Sequence, residues 1–333
     1  MTQHLKILAN ERVLVTGAGG FIGGHVVEAL LEAGAHVRAL VRYNGRNDWG
    51  SLDEIGGHER LEVVSGDVRD PHQMIRCVDG CDRVLHLAAL IAIPFSYVAP
   101  QSYAETNVLG TINILEAARI HGTKRVVVTS TSEVYGSARY VPIDEQHPLQ
   151  GQSPYSASKI GSDKVAESYY LSFEQPVVTL RPFNTYGPRQ SDRAVIPTIA
   201  AQLAAKKPVL KLGSIDPVRD FLYVKDTARA FLHAAVVPGI EGETIHVGTG
   251  VGVTIGELAE RMMAACGHIV PIETDSARVR PAGSEVMRLL ANGAYAKEKL
   301  DFEPAVDLDT GLLAVYDYVK ARLDRYRPGE YMR

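Results

Sequence analysis

Two side chains with acid/base potential, Tyr155 and Lys159, sit four positions apart in Tyr155-Ser156-Ala157-Ser158-Lys159, 24 residues after Thr131 in the hydroxyl-rich stretch Thr129-Ser130-Thr131-Ser132-Glu133-Val134-Tyr135-Gly136. In a helix this spacing places both on one face. A phenol ionises near 10, so a tyrosine base at neutral pH needs a depression of roughly 3 pH units, about 4 kcal/mol. One cation about 4 Å away at an effective dielectric of 20 contributes about 4 kcal/mol, so a lysine has an effect of the right size. Thr131, at the carboxyl end of a strand, can hydrogen-bond a substrate hydroxyl as it loses its proton. Glu133 lies two residues further, where period-two geometry points it the same way and adds a carboxylate acid/base. Taken singly, the tyrosine–lysine pair reads as an aromatic packed on a surface lysine, and Glu133 as a solvated strand-end carboxylate.

A second constellation removes that ambiguity. Val13-Leu14-Val15-Thr16-Gly17-Ala18-Gly19-Gly20-Phe21-Ile22-Gly23 is an apolar strand entering a glycine turn and then an amphipathic helix. Gly17 permits the tight turn, Gly20 admits a pyrophosphate to the backbone, and Gly23 allows close helix–strand packing, leaving N–H groups at the helix start for phosphates. The flanking strand and helix make this a dinucleotide-binding motif rather than an incidental turn. The acidic residue that meets the adenosine ribose in NAD-specific domains is missing after the second strand. Arg42 stands there, either pairing with the 2′-phosphate of NADP or exposed on a loop. Asp67 and Val68 follow the third strand and can hold the adenine, while Leu87, Ala88 and Ala89 supply small residues where a cofactor must lie close. A positively charged nicotinamide ring would add to the effect of Lys159 on Tyr155.

The elements that must position these groups are legible as alternating apolar runs and helical patterns, as parallel βαβ units require. Strands are expected at Val13–Thr16, His36–Val41, Leu61–Ser65, Arg83–Ala88, Arg125–Thr129 and Pro176–Leu180, with helices near Ile22–Ala33, Tyr103–His121 and Tyr155–Phe173. This predicts an α/β fold: a Rossmann doubly wound parallel sheet over residues 1–182, and a smaller C-terminal α/β substrate-binding lobe over most of 183–333. Leu222–Val237 reads as a helix and Thr244–Val247 as a strand, so the chain is expected to return to the main sheet near 222–248.

Composition limits the function classes. Of 333 residues, 46% are apolar and 22% charged, with no run near the roughly 20 apolar residues of a membrane span. No secretory pattern opens the chain, so a cytoplasmic protein is expected. A net charge of −4 offers no field for nucleic acid or an anionic membrane. Cys77, Cys81 and Cys266 cannot build a disulfide framework or a complete zinc site, and no metal is expected.

The chain resembles the extended short-chain dehydrogenase/reductase family over nearly its whole length. The shared marks are Gly17–Gly23, His86 to Ala89, Asn107 with Gly110, Thr131, Tyr135-Gly136, Tyr155 with Lys159, the run Arg181 to Arg189, and Arg219 to Asp226. Within the family the likeness runs to sugar-nucleotide 4,6-dehydratases of the legionaminic acid pathway type. The resemblance implies NAD or NADP recycled in each turnover, a nucleotide-diphosphate sugar as substrate, and a homodimer through a four-helix bundle. It implies a substrate surface that includes Ser132, Asn184, Val195, Arg219 and Arg280, with the two arginines near the diphosphate. Ion pairing with Asp220 or Asp226 is the alternative for Arg219, and core bridging for Asn107. Glucose-type dehydratases carry aspartate where Ser132 stands; GDP-mannose-type enzymes carry serine, which implies that Glu133 acts both at C5 and toward the C6 hydroxyl. A UDP-sugar 4-epimerase, which needs no such extra acid/base, is the second expectation, and a non-catalytic NAD(P)-binding regulator a third.

Overall fold

Apolar runs without polar alternation form strands covered on both faces. The computed structural model describes residues 3–278 and 285–329. Its strands are β1 (Arg12–Thr16), β2 (His36–Arg42), β3 (Leu61–Gly66), β4 (Arg83–His86), β5 (Arg125–Thr129), β6 (Val177–Pro182), β7 (Asn184–Tyr186), β8 (Leu210–Leu212), β9 (Val218–Tyr223), β10 (Thr244–Val247), β11 (Gly252–Thr254), β12 (Ile272–Thr274) and β13 (Arg288–Leu289). The helices are α1 (Phe21–Glu32), α2 (Pro71–Val78), α3 (Ile93–Ser96), α4 (Pro100–Tyr103), α5 (Gly110–His121), α6 (Pro154–Phe173), α7 (Val195–Ala204), α8 (Val224–Val236), α9 (Ile255–Cys266), α10 (Ala294–Leu300) and α11 (Leu308–Lys320).

Seven parallel strands form the main sheet in the order β10-β6-β5-β4-β1-β2-β3. Successive β1 side chains serve opposite faces. Val13 and Val15 join Val26, Val27 and Leu30 of α1 and Phe231 and Ala234 of α8, while Leu14 joins Ile114 and Leu115 of α5 and Ala166 and Tyr169 of α6. The strand order reverses between β1 and β4, and a crevice opens at their carboxyl ends, where α/β sheets bind ligands. The lobe has its own core, with Ile199 and Leu203 of α7 packed on Leu258 and Met262 of α9 and Leu312 and Val315 of α11. It is built on β9, which pairs with β7, β11 and β13.

Three expectations change. Leu222 and Tyr223 end β9 rather than begin a helix; Tyr223 stays extended (ψ 140°) as the N-cap of α8, because Arg219–Tyr223 is a fully buried central strand. The helix expected over Tyr103–His121 contains a π-helical turn at Ala104–Leu109. β4 ends at His86, because Leu87 and Ala88 leave the sheet to donate their N–H groups to Thr16 Oγ1, each at 3.1 Å. β10 pairs in parallel with β6 at one edge of the main sheet.

The crevice depends on close backbone approach. Gly17 has φ +68°, and a Cβ there would meet the Ala88 backbone nitrogen at 2.8 Å; at Gly23 a Cβ would lie 2.2 Å from the Gly17 carbonyl oxygen. Gly23→Ala should therefore cost about 1–3 kcal/mol as α1 lifts from the turn. Gly57→Ala, at a glycine with nothing within 4 Å, should cost little. Urea unfolding of the two variants checks this, and equal stabilities would contradict the packing argument.

Candidate active site

A cavity of about 630 Å³ occupies the crevice. One end is lined by Gly17, Gly20, Phe21, Ile22, Gly23, Arg42, Asp67, Val68, Leu87, Ala88 and Ala89, the other by Thr131, Ser132, Glu133, Tyr155, Lys159 and Asn184. Both constellations thus meet in one space. Gly20 caps α1 without a side chain to bond the N–H groups of its first turn, and Gly20, Phe21, Ile22 and Gly23 all line the cavity. Together with the glycine cradle, this fits the pyrophosphate of a dinucleotide. At the rim, Arg69 forks onto Asp67 at 2.6–3.1 Å and holds its carboxyl below the usual aspartate range. Arg42 is exposed beside it. Gly19, Asn44, Asp48, Trp49 and Gly50 also line this end. Sequence reasoning passed over them because their role is set by a loop folding back onto the turn, with Ser51 N–H donating to the Gly19 carbonyl at 2.9 Å.

At the other end, α6 begins at Pro154 behind a Ser153–Ser156 capping box, which fixes the first turn and hence Tyr155. The Thr131 hydroxyl is close enough to the Tyr155 phenol to bear on its ionisation, and the Tyr103 ring meets the Tyr155 ring edge-on at 6.2 Å. Thr131 and Glu133 are not on a strand. β5 stops at Thr129, and Thr131 caps a 3₁₀ turn, Ser132–Tyr135, accepting the Glu133 N–H at 3.3 Å. The turn, not strand periodicity, brings Glu133 to the cavity, where its charge bears on Tyr155.

The electrostatics differ from simple expectation. Burial pushes the Tyr155 phenol above its ordinary value; the Thr131 hydroxyl opposes this, and Glu133 reinforces it. Lys159 donates to the Thr129 carbonyl at 2.5 Å. Burial lowers its ammonium to about 8, with Asp163 acting in the opposite direction. The resting site therefore keeps its phenol protonated.

Asp163, four residues beyond Lys159 on α6, is the residue that motif reading missed. It pairs with Arg181 of β6 at 2.8 Å with both side chains at most 5% exposed, and accepts from Ser130 Oγ at 2.7 Å. Arg181 also donates to the Tyr135 hydroxyl at 3.0 Å, which lies 3.2 Å from His246 Nδ1 on β10. Its spacing from Tyr155 and Lys159 was the available signal: an aspartate on the buried face of an otherwise packed helix has to meet a charge.

The remaining substrate candidates are more dispersed. Asn184 lines the cavity and donates to the Asp220 carbonyl at 3.3 Å. Val195 opens α7 and Arg219 sits on β9, both outside that lining. Arg219 turns to Glu285 at 3.4 Å, not to Asp220 or Asp226, whose oxygens are taken by backbone N–H groups, Thr249 and Arg229. Arg280 lies outside the described residues. Asn107 bridges the core, exchanging hydrogen bonds with Leu90 at 2.8 and 3.0 Å and donating to Ser158 Oγ at 2.9 Å.

With this geometry in view, the comparisons with known proteins are direct. Residues 14–314 match the family model for GDP-mannose 4,6 dehydratase. The chain belongs to that family. It is 33% identical over 317 residues to a dTDP-glucose 4,6-dehydratase of Actinoplanes sp., covering 93% of this chain and 98% of the relative. It is similar to the crystal structure of DesIV, the dTDP-glucose 4,6-dehydratase of Streptomyces venezuelae with NAD bound (TM-score 0.85, 32% identity, 95% and 98% of the two chains). It is equally similar in fold to UDP-glucuronic acid 4-epimerase of Bacillus cereus in complex with UDP-glucuronic acid and NAD (TM-score 0.86, 28% identity, 93% and 99%). The protein is thus an enzyme of the sugar-nucleotide dehydratase/epimerase class, and the regulator alternative falls away.

The buried lysine carries a pH signature. Below pH 8 it is protonated in the folded and unfolded chain alike; between about 8 and the ordinary 10.5 only the unfolded chain keeps the proton, so folding becomes more favourable as pH rises. At about 1.4 kcal/mol per pH unit, a fall from 10.5 to about 8 corresponds to about 3 kcal/mol. Relative to wild type, Lys159→Met should lack this rise in urea-unfolding free energy across that window. Parallel curves for the two proteins would mean that the lysine titrates as it does in water.

Proposed function

We propose that the enzyme is a nucleotide-sugar 4,6-dehydratase, converting UDP- or GDP-linked N-acetylglucosamine to the 4-keto-6-deoxy sugar nucleotide, as in legionaminic acid synthesis. The observation that carries this reading is the carboxylate of Glu133 in the same cavity as Thr131, Tyr155 and Lys159. In this reading Thr131 and Tyr155 hold the sugar 4-hydroxyl; the charges of Lys159 and of an oxidised nicotinamide ring would offset the effect of burial, so that Tyr155 loses its proton to solvent, takes the hydroxyl proton as a phenolate, and releases it to solvent before the next turnover. NAD or NADP, held by the glycine turn, Asp67, Val68 and Leu87–Ala89, supplies the hydride acceptor and returns the hydride within the turnover. The ketone at C4 acidifies the C5 proton. Glu133 removes that proton and protonates the C6 hydroxyl, which leaves as water. A solvent-derived proton later returns to C5, so atoms balance to the loss of one water.

Ser132, buried at 2% exposure, lines the cavity beside Glu133, where it leaves the carboxylate as the single acid/base of that turn. Asn184, Val195, Arg219 and Arg280 are assigned to the sugar nucleotide, with the arginines toward its diphosphate. A 4-epimerase, the activity named for the Bacillus cereus structure, is the competing reaction. It would leave Glu133 without a task.

Incubation with each N-acetylglucosamine nucleotide in deuterated water, followed by NMR, separates the two. Dehydration puts solvent deuterium at C5 of a 6-deoxy-4-keto sugar; a C4 epimer with no label at C5 would refute the assignment. Glu133→Gln should lower the dehydration rate by roughly 10²–10⁴-fold while substrate affinity stays within about twofold. Unimpaired elimination in that variant would remove Glu133 from the mechanism.

We also propose a homodimer through α5 and α6. Leu109, Ile120, Leu171 and Phe173 stand 52%, 55%, 71% and 53% exposed on or beside these helices, more apolar surface than a solvated helix pair carries without cause. Light scattering on the purified protein should give twice the 36.2 kDa chain mass, and a monomer at micromolar concentration would count against the bundle.

A further inference from the structure

The loop that covers the glycine turn is anchored from the opposite end of the chain. From Tyr43 to Glu54 the backbone crosses the rim of the cleft, and Asn44, Asp48, Trp49 and Gly50 line the cavity beneath it. Contact with the turn is close: Ser51 N–H donates to the Gly19 carbonyl at 2.9 Å, and a Cβ at Gly50 would lie 2.3 Å from that oxygen. Internal ties are few. Asn44 Nδ2 donates to the Asp48 carbonyl at 2.9 Å, and the Trp49 N–H to the Asp53 carboxylate at 3.1 Å. Only Leu52, at 1% exposure, is buried in this stretch. A segment with so little apolar burial would open readily if nothing else held it.

What holds it is Glu54. Tyr318 Oη of α11 donates to its carboxylate at 2.6 Å and Arg325 at 2.8 Å, with Arg322 Nε at 3.5 Å. Arg189, on the loop between β7 and α7, approaches the second oxygen at 4.0 Å and is itself paired with Glu28 of α1. The Arg322 guanidinium stacks 4.3 Å from the centre of the Tyr318 ring, which fixes both donors. Burial works against ionisation of Glu54, yet the Tyr318 hydrogen bond and the Arg322 and Arg189 charges hold its carboxyl below the ordinary glutamate range. Isolated surface ion pairs contribute little, but one carboxylate shared among three guanidinium groups and a phenol is a network, where such pairs do count.

We propose that Glu54 is a positioning residue for the dinucleotide site: it latches the segment 43–54 over the glycine turn to the C-terminal helix, so that retention of the bound dinucleotide depends on Tyr318, Arg322 and Arg325. This rests on the dinucleotide reading of the cleft given above, and it is independent of whether the enzyme dehydrates or epimerises its sugar.

Trp49 makes the proposal measurable, because it is the chain's single tryptophan and lines the cleft. Its emission, quenched by energy transfer to a bound reduced dinucleotide, reports release when excess oxidised dinucleotide is added. Glu54→Ala should release about tenfold faster than wild type, equivalent to about 1.4 kcal/mol. Tyr318→Phe, which keeps the ring and its packing, should release about threefold faster, and the double variant no faster than Glu54→Ala, since both act through one contact. Asp309→Asn, which breaks the exposed Arg261–Asp309 pair on the same C-terminal helix, should match wild type. Unchanged release in Glu54→Ala and Tyr318→Phe, fully additive effects in the double variant, or equal acceleration in Asp309→Asn would each overturn the latch. Failure of wild type to bind any nicotinamide dinucleotide would sink the cofactor reading itself, and the latch with it.

Discussion

Charge buried under the floor of the cleft determines where the candidate catalytic side chains stand. Asp163 and Arg181 are nearly inaccessible to water, and an isolated ion at that depth would cost several kcal/mol, so each is stable only in the presence of the other. Their pairing fixes the roll of α6 against β6. Because Tyr155 and Lys159 precede Asp163 by eight and four residues on the same helix, that roll also aims the phenol and the ammonium at the carboxyl end of β5. Arg181 extends the constraint through Tyr135, whose hydroxyl it meets, to His246 on the last strand of the sheet. Burial lowers His246 to about 4, and at neutral pH it is an uncharged partner that adds no competing cation beside the guanidinium. Tyr135 is also the last residue of the turn that carries Glu133, so the same pair supports both sides of the reaction space.

How much of this was legible follows from range. The sheet strands were readable because each is a local apolar run, and the glycine turn because a strand, a tight turn and a helix start are contiguous. Thr244–Val247 was placed correctly for the same reason. What escaped depends on contacts made across the chain. Leu222 and Tyr223 look helical in isolation, since the apolar pattern of α8 runs back into them; pairing of β9 with three neighbouring strands overrides that local preference. Glu133 was assigned to the site by strand periodicity, and it reaches the site through a 3₁₀ turn that periodicity does not describe. Of the two readings of Arg219, the ion pair with a neighbouring aspartate gives way, because backbone N–H groups, Thr249 and Arg229 occupy both carboxylates and the arginine's acidic partner is Glu285.

The cleft also contains an electrostatic conflict that orders its chemistry. Glu133 and a Tyr155 phenolate would be two anions in one cavity, and the Glu133 charge disfavours ionisation of the phenol. On the proposed roles, both cannot serve as bases at the same moment. The Lys159 ammonium, pinned to the Thr129 carbonyl and lowered by burial to about 8, is a single cation. Once Tyr155 has accepted the 4-hydroxyl proton it is neutral, and the Glu133 charge no longer opposes it. On the proposed roles, the Glu133 carboxylate acts after the ketone at C4 has made the C5 proton acidic. An epimerase gains nothing from such a sequence, because it has no second proton to remove. A dehydratase requires it, since abstraction at C5 before oxidation at C4 would meet a proton that a carboxylate is too weak to take.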